Sequence, residues 1–394
     1  ICKELKIKEM VLFENKELKQ ALEEIVKTDG FKTDYYFQYL YIVNYVKSYS
    51  IGREKETLSP VNVKTLRNYV SYDNAHKLLK NLVNNNILQT KGNYTIGKFS
   101  REYLLNPNFD FSGWYEVQVT DESIKPKFYK QVESKKADMA NGYVKAVEYL
   151  SELKLDRESA LRDLYSNHKK FTYSEIKSYK DSVELFNNKI FSVDNFGNRL
   201  HTNLTNFPSF LRKYFYNGKG PLKQIDIKNS QPIFLGLILK RKGVCDPSEV
   251  NKYLDICNSG KFYEFFAEKC GYSLDLTDKK VRRDFKTKVF SEIFFNRNKP
   301  DLNCTELAFK EHFPSIFNYI RETKKTDHKT ISMQLQREES SFIFSLVEDF
   351  NFEFYTIHDS IITNENSISY ALSMFEKKFK EKYEYIPNLE VENL

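Results

Sequence analysis

Two short apolar segments, each carrying an aspartate at or near a strand end, constrain this chain more than any other feature. Residues 222–227 (LKQIDI) predict a strand that carries Asp226 near its end, followed by Asn229-Ser230-Gln231-Pro232 and the start of an apolar helix. Residues 352–363 (FEFYTIHDSIIT) predict two strands joined at His358-Asp359-Ser360. Both aspartates then sit at strand ends, where one sheet can present them to a single point. Two hard carboxylates sharing two Mg2+ ions suit in-line phosphoryl displacement, one ion activating the attacking 3′-hydroxyl and the other steadying the leaving pyrophosphate. Strand-end aspartates also cap helices and turns, so the pair alone does not decide the matter.

A third segment adds the missing charge. Residues 279–299 (KKVRRDFKTKVFSEIFFNRNK) hold eight basic and two acidic side chains, a local net of +6. Arg282, Lys286, Phe290 and Phe294 fall four apart, so a continuous α-helix predicts one slowly drifting face of two cations and two rings. Such a face suits a nucleoside triphosphate, with charge-assisted bonds to the phosphates and flat rings against sugar and base. The same pattern also fits an amphipathic helix with a solvated basic edge.

Composition narrows the class without naming it. The 394 residues allow two or three units with their own cores. The longest apolar run, Pro232 to Leu239, is far shorter than the roughly 20 residues of a spanning helix, so no membrane partner is expected. The first residues, Ile-Cys-Lys-Glu-Leu-Lys, hold no apolar signal region, and a cytoplasmic protein is expected. They also lack an initiator Met, as a domain cut from a longer chain would. The formal charge of +7, from 61 basic and 54 acidic residues, is compatible with a polyanion without requiring one. Five scattered cysteines (Cys2, Cys245, Cys257, Cys270, Cys304) without a CxxC pair argue against a disulfide framework or structural zinc.

Upstream, Tyr35 to Val46 predicts a buried helix, being apolar on nearly every side. Residues 62–103 predict two short helices, Val63 to Tyr69 and Asp73 to Asn84. A hairpin then follows: Ile87-Leu88, a turn at Lys91-Gly92-Asn93, and Tyr94-Thr95-Ile96. That is a winged-helix pattern, which serves equally as a nucleic-acid reader or a protein-binding scaffold. Charged helices follow from about Lys135 to Phe191, and Asn195-Phe196-Gly197-Asn198 reads as a turn opening a new domain. The expected division is residues 1–110, winged-helix-like; 111–195, a connector with helices; and 196–394.

Residues 282–294 (RRDFKTKVFSEIF) closely resemble the fingers helix of family A DNA polymerases, RRxxKxxxFxxxY. Gly197 to Pro208 (GNRLHTNLTNFP) resembles that family's GRLxSxxPNLQNIP, and Asp226 to Gln231 its first catalytic motif, DYSQIE. Thr356 to Thr363 (TIHDSIIT) resembles the second, VHDE, and is closer still to the HDSFGT of single-subunit phage-type RNA polymerases. Asp255 to Phe265 is similar to the DIHxxxA segment, Glu311 to Tyr319 to FxxYPxVxxY, and Ile386 to Val391 to the last palm strand, while Gln336 to Glu339 stands where QGTAAD would lie. The likeness covers about 200 residues with the motifs in the family's order.

The resemblance implies an α+β right-hand polymerase palm, an antiparallel sheet with helical fingers and thumb. It implies that Asp226 and Asp359 hold two Mg2+ ions (Mn2+ can substitute) and that Lys286 contacts the phosphates and protonates pyrophosphate. Arg282 and Arg283 would bind the triphosphate, Phe290 and Phe294 would face sugar and base, and Arg199, His358 and Gln336 would touch the DNA primer–template. Read from the residues alone, His358 also fits a turn histidine, Arg199 a surface ion pair and Gln336 a polar helix position. Departures are Gln231 where the family keeps its sugar-sensing Glu, Phe294 for Tyr and Phe295 for Gly, and a loop shrunken to Arg321 to Lys329. The expected activity is primer extension with dNTPs for a plasmid, phage or other mobile element, with an accessory replication protein as a possible partner. A primer-making or RNA-synthesising enzyme using NTPs, and a replication initiator with an inactive polymerase-like half, are the other readings.

Overall fold

The structure, a computed structural model, describes residues 10–49, 58–91, 100–109, 113–137, 139–187 and 189–394. It is α+β, mostly helical with small antiparallel sheets. The chain forms two compact units, each built from more than one segment. The first takes in residues up to Ala140, Leu150–Phe191 and Thr202–Gly218; the second is Asn141–Tyr149, Ser192–His201 and Lys219–Leu394.

In the first unit, β1 (Val11–Glu14) leads into α1 (Lys16–Thr28), whose Asn15 cap accepts from the Leu18 amide at 2.8 Å. The apolar run becomes α2 (Tyr36–Tyr49), with Tyr39, Leu40, Ile42 and Val43 fully buried. Its buried Asn44 acts as a strand surrogate, bonding both the Phe13 amide (2.9 Å) and the Phe13 carbonyl (2.8 Å). Then come β2 (Ser59–Pro60), α3 (Val63–Leu66), α4 (Ala75–Asn84), β3 (Leu88–Lys91) and β4 (Glu102–Leu105), the strands ordered β2-β4-β3. The predicted partner strand at 94–96 falls outside the described residues. The strand that pairs with β3 is β4, in register from Leu88↔Leu105 to Lys91↔Glu102, because Tyr103 and Leu105 supply the alternating buried face. β5 (Tyr115–Gln118) pairs with β1, and α5 (Lys125–Ala137) follows. After α6 (Asn141–Leu150), the unit is completed by β6 (Lys154–Leu155), α7 (Arg157–Ser166) and α8 (Tyr173–Glu184). The buried Lys47–Asp181 ion pair (2.8 Å) ties α8 to α2.

The hairpin of β7 (Phe191–Val193) and β8 (Leu200–Thr202) belongs mainly to the second unit, and β9 (Phe215–Tyr216) pairs with β6 in the first. The second unit is built on a four-stranded antiparallel sheet in the order β11-β12-β10-β13, from β10 (Leu222–Ile227), β11 (Phe354–Ile357), β12 (Ser360–Asn364) and β13 (Leu389–Asn393). Between β10 and β11 run α9 (Ser230–Lys242), α10 (Pro247–Asn258), α11 (Phe262–Lys269), α12 (Lys279–Val289), α13 (Cys304–His312), α14 (Pro314–Lys324) and α15 (Thr330–Glu348); α16 (Ile368–Tyr383) follows β12. Helix α9 is apolar all round because it is buried all round, from Pro232 to Leu239. It meets α10 through Gly236, where a β-carbon would stand 2.5 Å from a Leu254 methyl. Tyr253, Phe262, Phe266, Phe309 and Phe313 form a fully buried aromatic core behind the helices.

Candidate active site

Strand β10 delivers Asp226, then breaks at Asn229, which adopts a left-handed conformation (φ +51°) and donates from Nδ2 to the Cys257 carbonyl at 2.8 Å. The β11–β12 hairpin closes through only two residues, His358 and Asp359, with His358 also left-handed (φ +53°). Neither turn carries a glycine, so each holds a conformation that costs an ordinary residue about 1 kcal/mol or more. Strands β10 and β12 are direct neighbours, paired as far as Ile225↔Ile361. Asp226 lies one residue beyond that pair, and Asp359 precedes the first residue of β12. Two tight turns at one end of adjacent strands thus bring the carboxylates to one place.

Their electrostatics record the proximity. Asp226 is pushed up to about 8, first by burial, then by the charge of Asp359, with Lys286 pulling the other way. Asp359 is likewise raised by burial and opposed by Lys286 and Arg199. A third carboxylate, Glu339 on α15, is pushed up to about 7 by burial and by Asp359. Its two oxygens accept from Arg199 Nη2 and from Ser230 Oγ, the latter at 2.8 Å. Carboxylates that repel one another in this way favour the approach of a cation. Among the described residues, no group of three or more His, Cys, Asp or Glu is arranged to hold a metal ion.

These groups line a cleft of about 480 Å³, within the size range of small-molecule sites. One wall carries Asp226, Asp359, His358, Glu339 and Arg199; the other carries Arg283, Lys286, Thr287, Phe290, Ser291 and Phe295. Gln231 also lines it, and its Oε1 is buried with no hydrogen-bond partner among the described residues. The His358 ring meets His201 edge-on at 5.6 Å, and His201 Nε2 bonds Asp194 at 3.0 Å.

The second wall departs from the four-residue repeat in two places. After α12 the chain enters a π-helical turn, Phe290–Phe295, marked by the Asn296 amide reaching five residues back to the Ser291 carbonyl (2.8 Å). The extra residue rephases the helix. Phe295 takes the cleft position that a regular helix would give Phe294, and Phe294 is fully buried between Phe290 and Phe309. At the other end Arg282 turns away to pair with Glu264 and lies over the Tyr263 ring, leaving Arg283 on the cleft. Of the four residues expected on one face, Lys286 and Phe290 face the cleft while Arg282 and Phe294 do not. Gln336 is not on the cleft wall either: it packs against Gly197, where a β-carbon would stand 2.6 Å from its Oε1.

Ser230, Glu339 and Tyr263 line the cleft without having been given a role from the sequence, and so does Phe295, noted there only as a departure. For Glu339 the only signal was its place at the end of the Gln336 to Glu339 segment, and spacing along the chain cannot tell an inward glutamate from Glu338, whose carboxylate accepts from two Arg241 nitrogens at 3.0 and 3.1 Å.

No protein-family model matches the sequence, and no curated protein is significantly similar to it. Among solved structures, the POL domain of Pol1 from M. smegmatis in complex with DNA primer-template and dNTP aligns over 96% of this chain and 66% of that one. The identity is 11% and the TM-score 0.43. Among the described residues, no helix is long and apolar enough to cross a membrane.

Proposed function

We propose that this chain is a template-directed nucleotidyltransferase that extends a DNA primer with dNTPs. The carrying observation is the convergence of Asp226 and Asp359, from adjacent strand ends, opposite Lys286 and Arg283 across one cleft. The raised carboxylate pair fits hard divalent cations, Mg2+ or Mn2+, because ion binding would relieve the repulsion that now favours their protonation. Bound there, such ions would activate the primer 3′-hydroxyl and neutralise the leaving pyrophosphate.

The chain's own groups would do the rest. Lys286 and Arg283 would hold the triphosphate by charge-assisted bonds, and Lys286 would give a proton to the departing pyrophosphate as the new phosphodiester bond forms. Phe290 and Phe295 would confine the nascent pair, while Gln231, whose Oε1 has no partner among the described residues, would face the sugar. Positioning and electrostatics supply most of the rate in phosphoryl transfer, and these residues supply both. In this reading the sheet is a palm and α12 with its π-turn the fingers. The β2-β4-β3 sheet with α2, α3 and α4 supports a winged-helix front unit.

The test is labelled-primer extension with Mg2+, on primed and unprimed templates, with dNTPs and NTPs supplied separately. Template-dependent addition should require a primer and disappear in Asp359→Asn while DNA binding persists. Near-normal addition by Asp359→Asn would place the chemistry elsewhere. Product on unprimed template with NTPs would favour the primer-making reading.

A further inference from the structure

Glu339 has no part in the mechanism above, yet it is the most buried carboxylate on the cleft wall, 1% exposed. Both of its oxygens are committed to hydrogen bonds. Oε1 accepts from Arg199 Nη2, on the side assigned to the primer–template. Oε2 accepts from Ser230 Oγ at 2.8 Å. Arg199 is nearly buried itself, its side chain 14% exposed, and its Nε is buried without a partner among the described residues. Glu339 is the carboxylate that pairs with this guanidinium, and it anchors the side chain.

We infer that Glu339 is a positioning residue for the primer–template side of the cleft, holding Arg199 toward the primer–template while Ser230 anchors its other oxygen. The inference rests on the polymerase reading of the site, but its physical content is the chain Arg199–Glu339–Ser230. The segment that carries Arg199 is fastened to α15 beside Glu339 by independent bonds. Arg337 donates to the carbonyls of Asn195 (3.0 Å) and Phe196 (2.9 Å), and Ser340 Oγ donates to that of Gly197. The backbone is therefore held without Glu339. What Glu339 adds is the placement of the Arg199 side chain, so its removal should be read in binding rather than in folding.

A double-mutant cycle on the full chain tests this. The parent, Arg199→Ala, Glu339→Gln and the double variant are compared by anisotropy on a labelled primer–template without nucleotide, after thermal melts verify folding. Glu339→Gln keeps the shape and one acceptor oxygen but loses the charge that holds the guanidinium. It should weaken primer–template binding about fivefold to tenfold. The double variant should bind as Arg199→Ala alone, since both changes remove one contact. Additive losses, or unchanged or tighter binding by Glu339→Gln, would overturn the inference. In extension assays Glu339→Gln should raise the primer–template KM while kcat falls less than about threefold. A kcat-only loss in Glu339→Gln would mean that Glu339 acts at the reacting atoms and would also refute the proposal. Coupled DNA binding in a protein that adds no nucleotide would leave the positioning role standing and remove the polymerase reading. A parent that does not bind primer–template removes both.

Discussion

If Asp226 and Asp359 repel each other in the metal-free protein, then destroying the site should stabilise the fold. Asp226 ionises at about 8 in the folded chain, whereas an unstrained aspartate does so near 4. The unfolded chain therefore gives up this proton first, and stability falls as pH rises from about 4 to about 8, then levels off. At pH 7 the separation of about three pH units sets a ceiling of about 4 kcal/mol. Part of this is burial and part is repulsion counted once for the pair, so Asp226→Asn should recover about 2 kcal/mol. For a unit of this size that is a rise in Tm of about 4–8 °C. Thermal melts in EDTA at pH 8 should show the gain, and melts near pH 4.5 should show little of it. Added Mg2+ should raise the Tm of the parent more than that of Asp226→Asn, while the variant loses nucleotide addition. An Asp226→Asn protein that melts at or below the parent at pH 8 would refute the argument, because the carboxylates would then not be repelling each other.

The rephased helix makes an asymmetric prediction for two adjacent rings. Phe294→Ala should cost about 3–5 kcal/mol of stability in a denaturant titration, as the loss of a buried ring does; Phe295→Ala should cost far less and chiefly raise the nucleotide KM. For the cations, Lys286→Ala should lower turnover at least about 100-fold, and Arg283→Ala should raise the nucleotide KM more than Arg282→Ala, as measured by single-nucleotide incorporation. Gln231→Gly should raise the use of NTPs relative to dNTPs; a parent that already prefers NTPs would rule out the steric role of Gln231. Lys324 is buried, held down to about 8 by that burial, and donates to the Ile293 carbonyl inside the π-turn at 2.8 Å. Lys324→Met should therefore raise the nucleotide KM several-fold, with Lys324→Arg restoring it.

The placement of Asp226 and Asp359 was legible because it is a local matter. Alternating apolar residues define each strand, and the polar residues that follow define where it stops. Asn229 and His358 are among the side chains that tolerate left-handed turns, so each strand end could be read within a few residues. The basic character of α12 was equally local, being a property of composition. Which of its residues would face the cleft was not. A continuous α-helix of period 3.6 put Arg282 and Phe294 on that face, but the structure contains a π-turn that no local pattern encodes.

That turn is secured by tertiary contacts. Lys324, 31 residues downstream, bonds the Ile293 carbonyl, and the ring of Phe294 is taken into the core by Phe309. Arg282 was likewise turned from the cleft by Glu264, on a different helix. Glu339 shows the same limit from the other side. In the sequence it is one of two adjacent glutamates in a polar stretch. Helix packing buries it against Arg199 and Ser230, and leaves Glu338 to Arg241. The sequence by itself therefore determined the two strand-end carboxylates and the charge of the helix that opposes them. The tertiary structure decided the phase of that helix and the third carboxylate, because both depend on partners that no spacing along the chain brings together.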